Sequence, residues 1–195
     1  MKKFAVLFFA VLAMGVAIFA TAPTVSAKSA PDEALVGINT GDATIYGLAG
    51  EKPLFLNFWA TWCPPCVGEM PAIEAMYKKY GDRLHFEAVS VDESAADAKA
   101  MLAERGMTVP AYTGDLNKLA QDYSLDAIPR SVLVGTDGTI IAEHLGGMSE
   151  AELEAFMEKY QRLVHRFELS DGYSYKSEVS GVLYGLGFSD TDFEK

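Results

Sequence analysis

The chain has two cysteines among 195 residues, and they stand three apart in Trp62-Cys63-Pro64-Pro65-Cys66. A pair so close can cycle between dithiol and disulfide, with one sulfur attacking a foreign disulfide and the other resolving the mixed product. The alternatives need more than this sequence supplies. A zinc site takes four ligands, yet there is no second cysteine pair and His85, His144 and His165 are far apart. A purely structural bridge closing so short a loop would add little chain-entropy stabilisation. A peroxidatic cysteine is expected to follow its threonine by three positions, whereas Thr61 lies two before Cys63.

The elements that must hold this pair are legible on either side of it. Leu54 to Trp59 is short, apolar and aromatic, as a strand buried on both faces would be. Pro64 and Pro65 fit a first helical turn, and Val67, Met70, Ile73, Ala75, Met76 and Tyr77 continue a helix to about Tyr80. Cys63 therefore falls at a helix N-terminus, where the dipole favours its thiolate and makes it the attacking sulfur, with Cys66 resolving. Neither proline carries an amide proton, so the Cys66 amide and the general dipole remain to stabilise that thiolate. The expectation is a weak oxidant, with a Cys63 pKa of roughly 7. Phe58, Trp59 and Trp62 read as packing that shields the pair. Pro71 should kink the helix, and Glu69 reads as an exposed helix residue with no catalytic part.

Asn57 to Pro71, with its C-x-x-C-x-x-E-x-P pattern, resembles the core of the TlpA and ResA type of extracytoplasmic thioredoxins. The likeness extends more loosely from about Pro31 to Gln161, through Val91-Asp92-Glu93-Ser94, Ala127-Ile128-Pro129-Arg130 and Asp137-Gly138. It implies an α/β, thioredoxin-like fold with a central mixed sheet flanked by helices. It also implies an enzyme, a protein thiol-disulfide oxidoreductase without a cofactor, commonly a reductant in cytochrome c maturation. Its partners would be substrate proteins with disulfides and a membrane thiol-disulfide electron donor. Two readings of other kinds compete: a redox-inert thioredoxin-like binding module, and a thiol peroxidase.

The resemblance also assigns residues. Thioredoxins carry a buried aspartate where this chain has Asn57, and the ResA-like members place a glutamate at a position resembling Glu93. Glu93 is thus the expected general acid and base near Cys66, provided it is partly buried; the bland reading is a solvated strand-end acid. Pro129 is the expected cis-proline, Ile128 would present backbone groups to an extended substrate, and Trp62 lies beside them. Arg130 replaces the usual small hydroxyl residue, and a cation there would favour acidic partners and lower the Cys63 pKa.

The N-terminus adds a compartment. Lys2 and Lys3 precede an apolar run from Phe4 to Ala22 and the cleavage-like Val25-Ser26-Ala27, so residues 1–27 read as a secretory signal or an uncleaved membrane anchor. Either places the domain outside the cytoplasm, in the periplasm or on the outer face of the membrane. The net charge of −11 excludes a nucleic-acid partner.

Further along, Ala43 to Tyr46 suggests a short strand and His85 to Val91 a core strand, with Ser94 capping a helix to about Arg105. Val109 to Thr113 reads as a strand, Leu116 to Tyr123 as a helix, and Ser131 to Val134 with Thr139 to Glu143 as a hairpin. The segment Ser94 to Thr113 would be an insertion between the two halves of the fold. Ser149 and Glu152 form a capping box for a last helix to about Gln161. Residues 28–161 would thus be the thioredoxin-like domain and 162–195 a C-terminal extension. Parts of Gly172 to Ser189 resemble a fragment of ABC-F type ATPases, but no phosphate-binding loop accompanies it, so no nucleotide chemistry is inferred.

Overall fold

The computed structural model describes residues 28–50 and 52–169. The expected signal or anchor in 1–27, and the Gly172 to Ser189 resemblance, lie outside the described residues. No helix among the described residues is long and apolar enough to cross a membrane.

Seven strands make one sheet: β1 (Ala34–Gly37), β2 (Ala43–Thr44), β3 (Leu54–Trp59), β4 (His85–Ser90), β5 (Ala111–Gly114), β6 (Arg130–Val134) and β7 (Ile140–Leu145). Their order is β2-β1-β5-β4-β3-β6-β7, with β3, β4 and β5 parallel and the other pairs antiparallel. Among the described residues five helices accompany them: α1 (Ile45–Ala49), α2 (Pro64–Tyr80), α3 (Ala95–Glu104), α4 (Leu116–Asp122) and α5 (Glu150–Leu169).

Strand alternation divides the core into two layers. Phe55 and Trp59 pack with Met70, Ile73, Met76, Leu102 and Leu153 of α2, α3 and α5. Leu54, Leu56 and Phe58 pack on the other face with Ile45, Leu119 and Tyr123. All six β3 residues are buried, the arrangement expected of a strand covered by helices on both sides. Each large apolar side chain so covered contributes roughly 1.5–3 kcal/mol. On the second face Phe58 and Tyr123 stack with centroids 4.9 Å apart, and the Tyr123 hydroxyl donates to the Pro31 carbonyl at 2.6 Å.

The expected elements form, with four differences. Thr44 Oγ1 accepts the Gly47 amide at 3.0 Å, so a helix begins at Ile45 where a continuous strand was expected. The supposed insertion supplies α3 and β5, and β5 lies in the sheet between β4 and β1. Ser94 is the N-cap of α3, but its side chain makes no capping hydrogen bond. The capping box at Ser149 and Glu152 is formed, and α5 continues to Leu169, beyond Gln161.

Further contacts fix the β7 edge and the entry to β5. The Ile140 amide donates to the Lys28 carbonyl and the Ala30 amide to Gly138, both at 2.8 Å, so the first described residues lie along the β7 edge. Gly138 turns the β6–β7 hairpin at φ +78°, a conformation that side chains rarely adopt. Glu74 in α2 accepts the amides of Thr108 at 2.8 Å and Val109 at 2.9 Å, with the Thr108 hydroxyl at 2.5 Å, pinning the segment that leads into β5.

Candidate active site

β3 ends at Trp59, and the Cys63 amide returns to the Ala60 carbonyl at 3.2 Å, closing a turn that delivers the cysteine to the start of α2. Cys63 is the N-cap of that helix, followed by Pro64 and Pro65 in the first turn. The sulfurs of Cys63 and Cys66 are joined in a disulfide, with Cα atoms 5.3 Å apart. Cys63 Sγ accepts the Cys66 amide at 3.3 Å, the donor left over by the two prolines.

Exposure is uneven around the pair. Cys66 is fully buried and Cys63 is 4% exposed, whereas the neighbouring Trp62 is 66% exposed. Cys63 lines a cleft of about 490 Å³ with Trp62, Val91, Leu116, Leu125 and Ile128, and Asp126 is its acidic member. The Ile128 carbonyl oxygen lies 3.7 Å from Cys63 Sγ. The Ile128–Pro129 bond is cis. Arg130 follows, its guanidinium 3.2 Å from the Glu143 carboxylate, so the added cation is compensated within the molecule.

Beneath the disulfide is a polar contact that the sequence reading missed. Asn57 donates to Glu69 Oε1 at 2.6 Å and to Ser131 Oγ at 3.1 Å, while the Met148 amide donates to Glu69 Oε2 at 2.7 Å. Glu69 is 4% exposed, which corrects its reading as a surface residue. It stands one helical turn after Cys66, on the same face of α2. Burial raises its pKa from the ordinary carboxyl range, against the pull of the Met148 and Asn57 donors. The β7–α5 loop passes close to this site at Gly147, near the Pro65 carbonyl and the Glu69 carboxyl. A polar Asn57 in an otherwise apolar strand, with an acid three residues after Cys66, was the available signal.

Glu93 is exposed, so the burial on which its expected role depended is absent. The buried acid of that segment is its neighbour Asp92, whose carboxylate accepts the Thr61 amide at 3.0 Å and the Thr61 hydroxyl at 2.7 Å.

The Redoxin family model matches residues 22–157. The chain is 29% identical over 133 residues to the thiol-disulfide oxidoreductase ResA of Bacillus thuringiensis (strain Al Hakam), covering 68% of this chain and 76% of that one. It is 34% identical over 130 residues to the thioredoxin-like protein YneN of Bacillus subtilis (strain 168), covering 65% and 75%. Among solved structures it resembles a Chlorobium tepidum protein provisionally named thiol:disulfide interchange protein DsbE. That match has a TM-score of 0.62 and 28% identity, and covers 70% of this chain and 95% of the other.

Proposed function

Because this chain belongs to the redoxin family and is a thiol-disulfide oxidoreductase of the ResA and DsbE type, we propose that it works outside the cytoplasm as a reductant of protein disulfides. The observation that carries the direction is the Cys66 amide on Cys63 Sγ, with prolines at both intervening positions. So few backbone donors leave the thiolate weakly stabilised and the reduced form a ready electron donor.

In this reading the Cys63 thiolate attacks one sulfur of a substrate disulfide, forming a mixed disulfide and releasing the other sulfur as a thiolate that takes up a proton. Cys66, deprotonated, then attacks Cys63 Sγ and expels the second substrate sulfur. Two electrons pass to the substrate, and the chain is left as the disulfide seen here. Glu69, in place of Glu93, takes the proton from Cys66. Trp62, Ile128 and Pro129 receive an extended substrate segment, and Arg130, held by Glu143, borders them.

A membrane thiol-disulfide donor restores the dithiol. Apocytochromes with an oxidised C-x-x-C-H pair are substrates of the right chemistry, which connects this reading to cytochrome c maturation. The organisation proposed with it is an export signal or uncleaved anchor in 1–27, a catalytic domain from 28, and an extension after 161 that starts within α5.

The test is the reduction potential of the Cys63–Cys66 couple, equilibrated against glutathione or dithiothreitol. A value near or below roughly −270 mV supports the reductant; one near roughly −120 mV makes the chain an oxidant and sinks the proline argument.

A further inference from the structure

The turn that carries Cys63 is fastened from the neighbouring strand by one side chain. Asp92 Oδ1 accepts the Thr61 amide at 3.0 Å and the Thr61 hydroxyl at 2.7 Å, and Oδ2 accepts the Ser90 hydroxyl at 2.8 Å. Asp92 is 5% exposed and Ser90 fully buried. Every one of these partners donates, the pattern an anionic carboxylate takes, and no cation pairs with Asp92 among the described residues. Thr61 precedes Cys63 by two residues, and Val91, adjoining Asp92, lines the same cleft as Cys63.

We infer that Asp92 sets the redox poise of the Cys63–Cys66 pair, holding the Ala60–Cys63 turn in place and disfavouring the Cys63 thiolate through its negative charge. Reduction of the disulfide takes up two electrons and two protons, one proton fewer where Cys63 is ionised. A buried negative charge near that sulfur raises the energy of the ionised dithiol and leaves the neutral disulfide nearly untouched. The potential falls, and the reduced chain becomes the stronger donor. Asp92 touches neither sulfur; it is a positioning residue that acts through the Thr61 turn and through space.

Other charges bear on the same sulfur. Glu69 of α2 acts in the same direction when ionised, and Asp126 in the cleft adds to it. The Arg130 cation of β6 is bound to Glu143. The inference rests on Cys63 as the attacking sulfur.

Two variants of the full chain, Asp92→Asn and Thr61→Val, separate charge from geometry. Each is equilibrated with glutathione and alkylated with iodoacetamide across pH, and the labelled cysteine is identified by peptide mapping. Asp92→Asn is expected to shift the equilibrium about tenfold toward the dithiol, about 30 mV in potential, and to lower the midpoint of Cys63 alkylation. Thr61→Val keeps the charge and removes a donor from it, so its shift runs a few-fold toward the disulfide. An unmoved potential and midpoint in Asp92→Asn overturns the inference, even if its Tm falls. So does a shift of both variants in the same direction, which would assign the effect to loop geometry. If Asp92→Asn does not fold, Thr61→Val decides: a shift toward the disulfide supports the charge, and any other result overturns it. Alkylation of Cys66 in the unaltered protein would refute the choice of attacking sulfur, while the potentials would still decide the role of Asp92.

Discussion

Asn57 and Glu69 tie the central strand to the active-site helix by a single buried hydrogen bond, Nδ2 to Oε1 at 2.6 Å. The amide can only donate from that nitrogen, so the carboxyl accepts at Oε1, and its other oxygen accepts the Met148 amide. The buried acid here therefore stands on the helix, one turn after Cys66, with an asparagine facing it from the strand.

Glu69→Gln keeps the shape and removes the exchangeable proton. Burial raises the Glu69 pKa above the ordinary carboxyl range, the direction a proton carrier for a thiol requires. The variant is expected to lose about 10²-fold in the rate of disulfide exchange, and the pH–rate profile should lose the limb that Glu69 supplies. Stopped-flow tryptophan fluorescence across pH measures both, and an unchanged profile would remove Glu69 from the proton path.

Glu87 sits on the opposite face of the sheet, in β4, 3% exposed, with Oε2 lacking a hydrogen-bond partner. Burial pushes its pKa to about 8, from 4.5. His85 Nδ1 is 4.0 Å away, but burial and the nearby Lys52 lower the His85 pKa, so it does not supply a lasting counter-charge. Between those two pH values the folded chain holds a proton that the unfolded chain has lost. Stability is therefore greatest below the unfolded pKa and declines as pH rises toward 8, by about 1.4 kcal/mol per pH unit from this group. Glu87→Gln should abolish that decline, and its advantage in urea unfolding should grow between pH 5 and 8.

Glu74 offers a purely mechanical contrast. Its carboxylate satisfies the Thr108 and Val109 amides at the entry to β5, so Glu74→Ala leaves buried donors without partners. The expected cost is about 2–3 kcal/mol in denaturant unfolding, with faster amide exchange at Thr108 and Val109 and an unchanged reduction potential. A changed potential would show that this clamp reaches the dithiol.

What the sequence disclosed was local. Cys63 at a helix start, the prolines after it, the apolar Leu54 to Trp59 strand and the Ser149–Glu152 box are each specified within a few residues. Glu69 and Asp92 were not legible, because their burial is conferred at a distance: Ser131 and Met148 close the site around Asn57 and Glu69, and Thr61 covers Asp92 from another strand's end. Asp92 and Glu93 show how fine the distinction is. Adjacent acids at a strand end differ in which is turned inward, and only the first has the Thr61 amide and hydroxyl to meet it.

The pairing of Lys28 and Ala30 with the β7 edge also fixes a direction. β6 leaves Arg130, beside Pro129, and runs to Val134 before the hairpin turn, so Lys28 is fastened at the pole opposite the disulfide. Five residues of strand at about 3.3 Å each separate the two poles by roughly 16 Å. A load applied to the chain at Lys28 would therefore reach the β7 edge before it reached the cleft at the other pole.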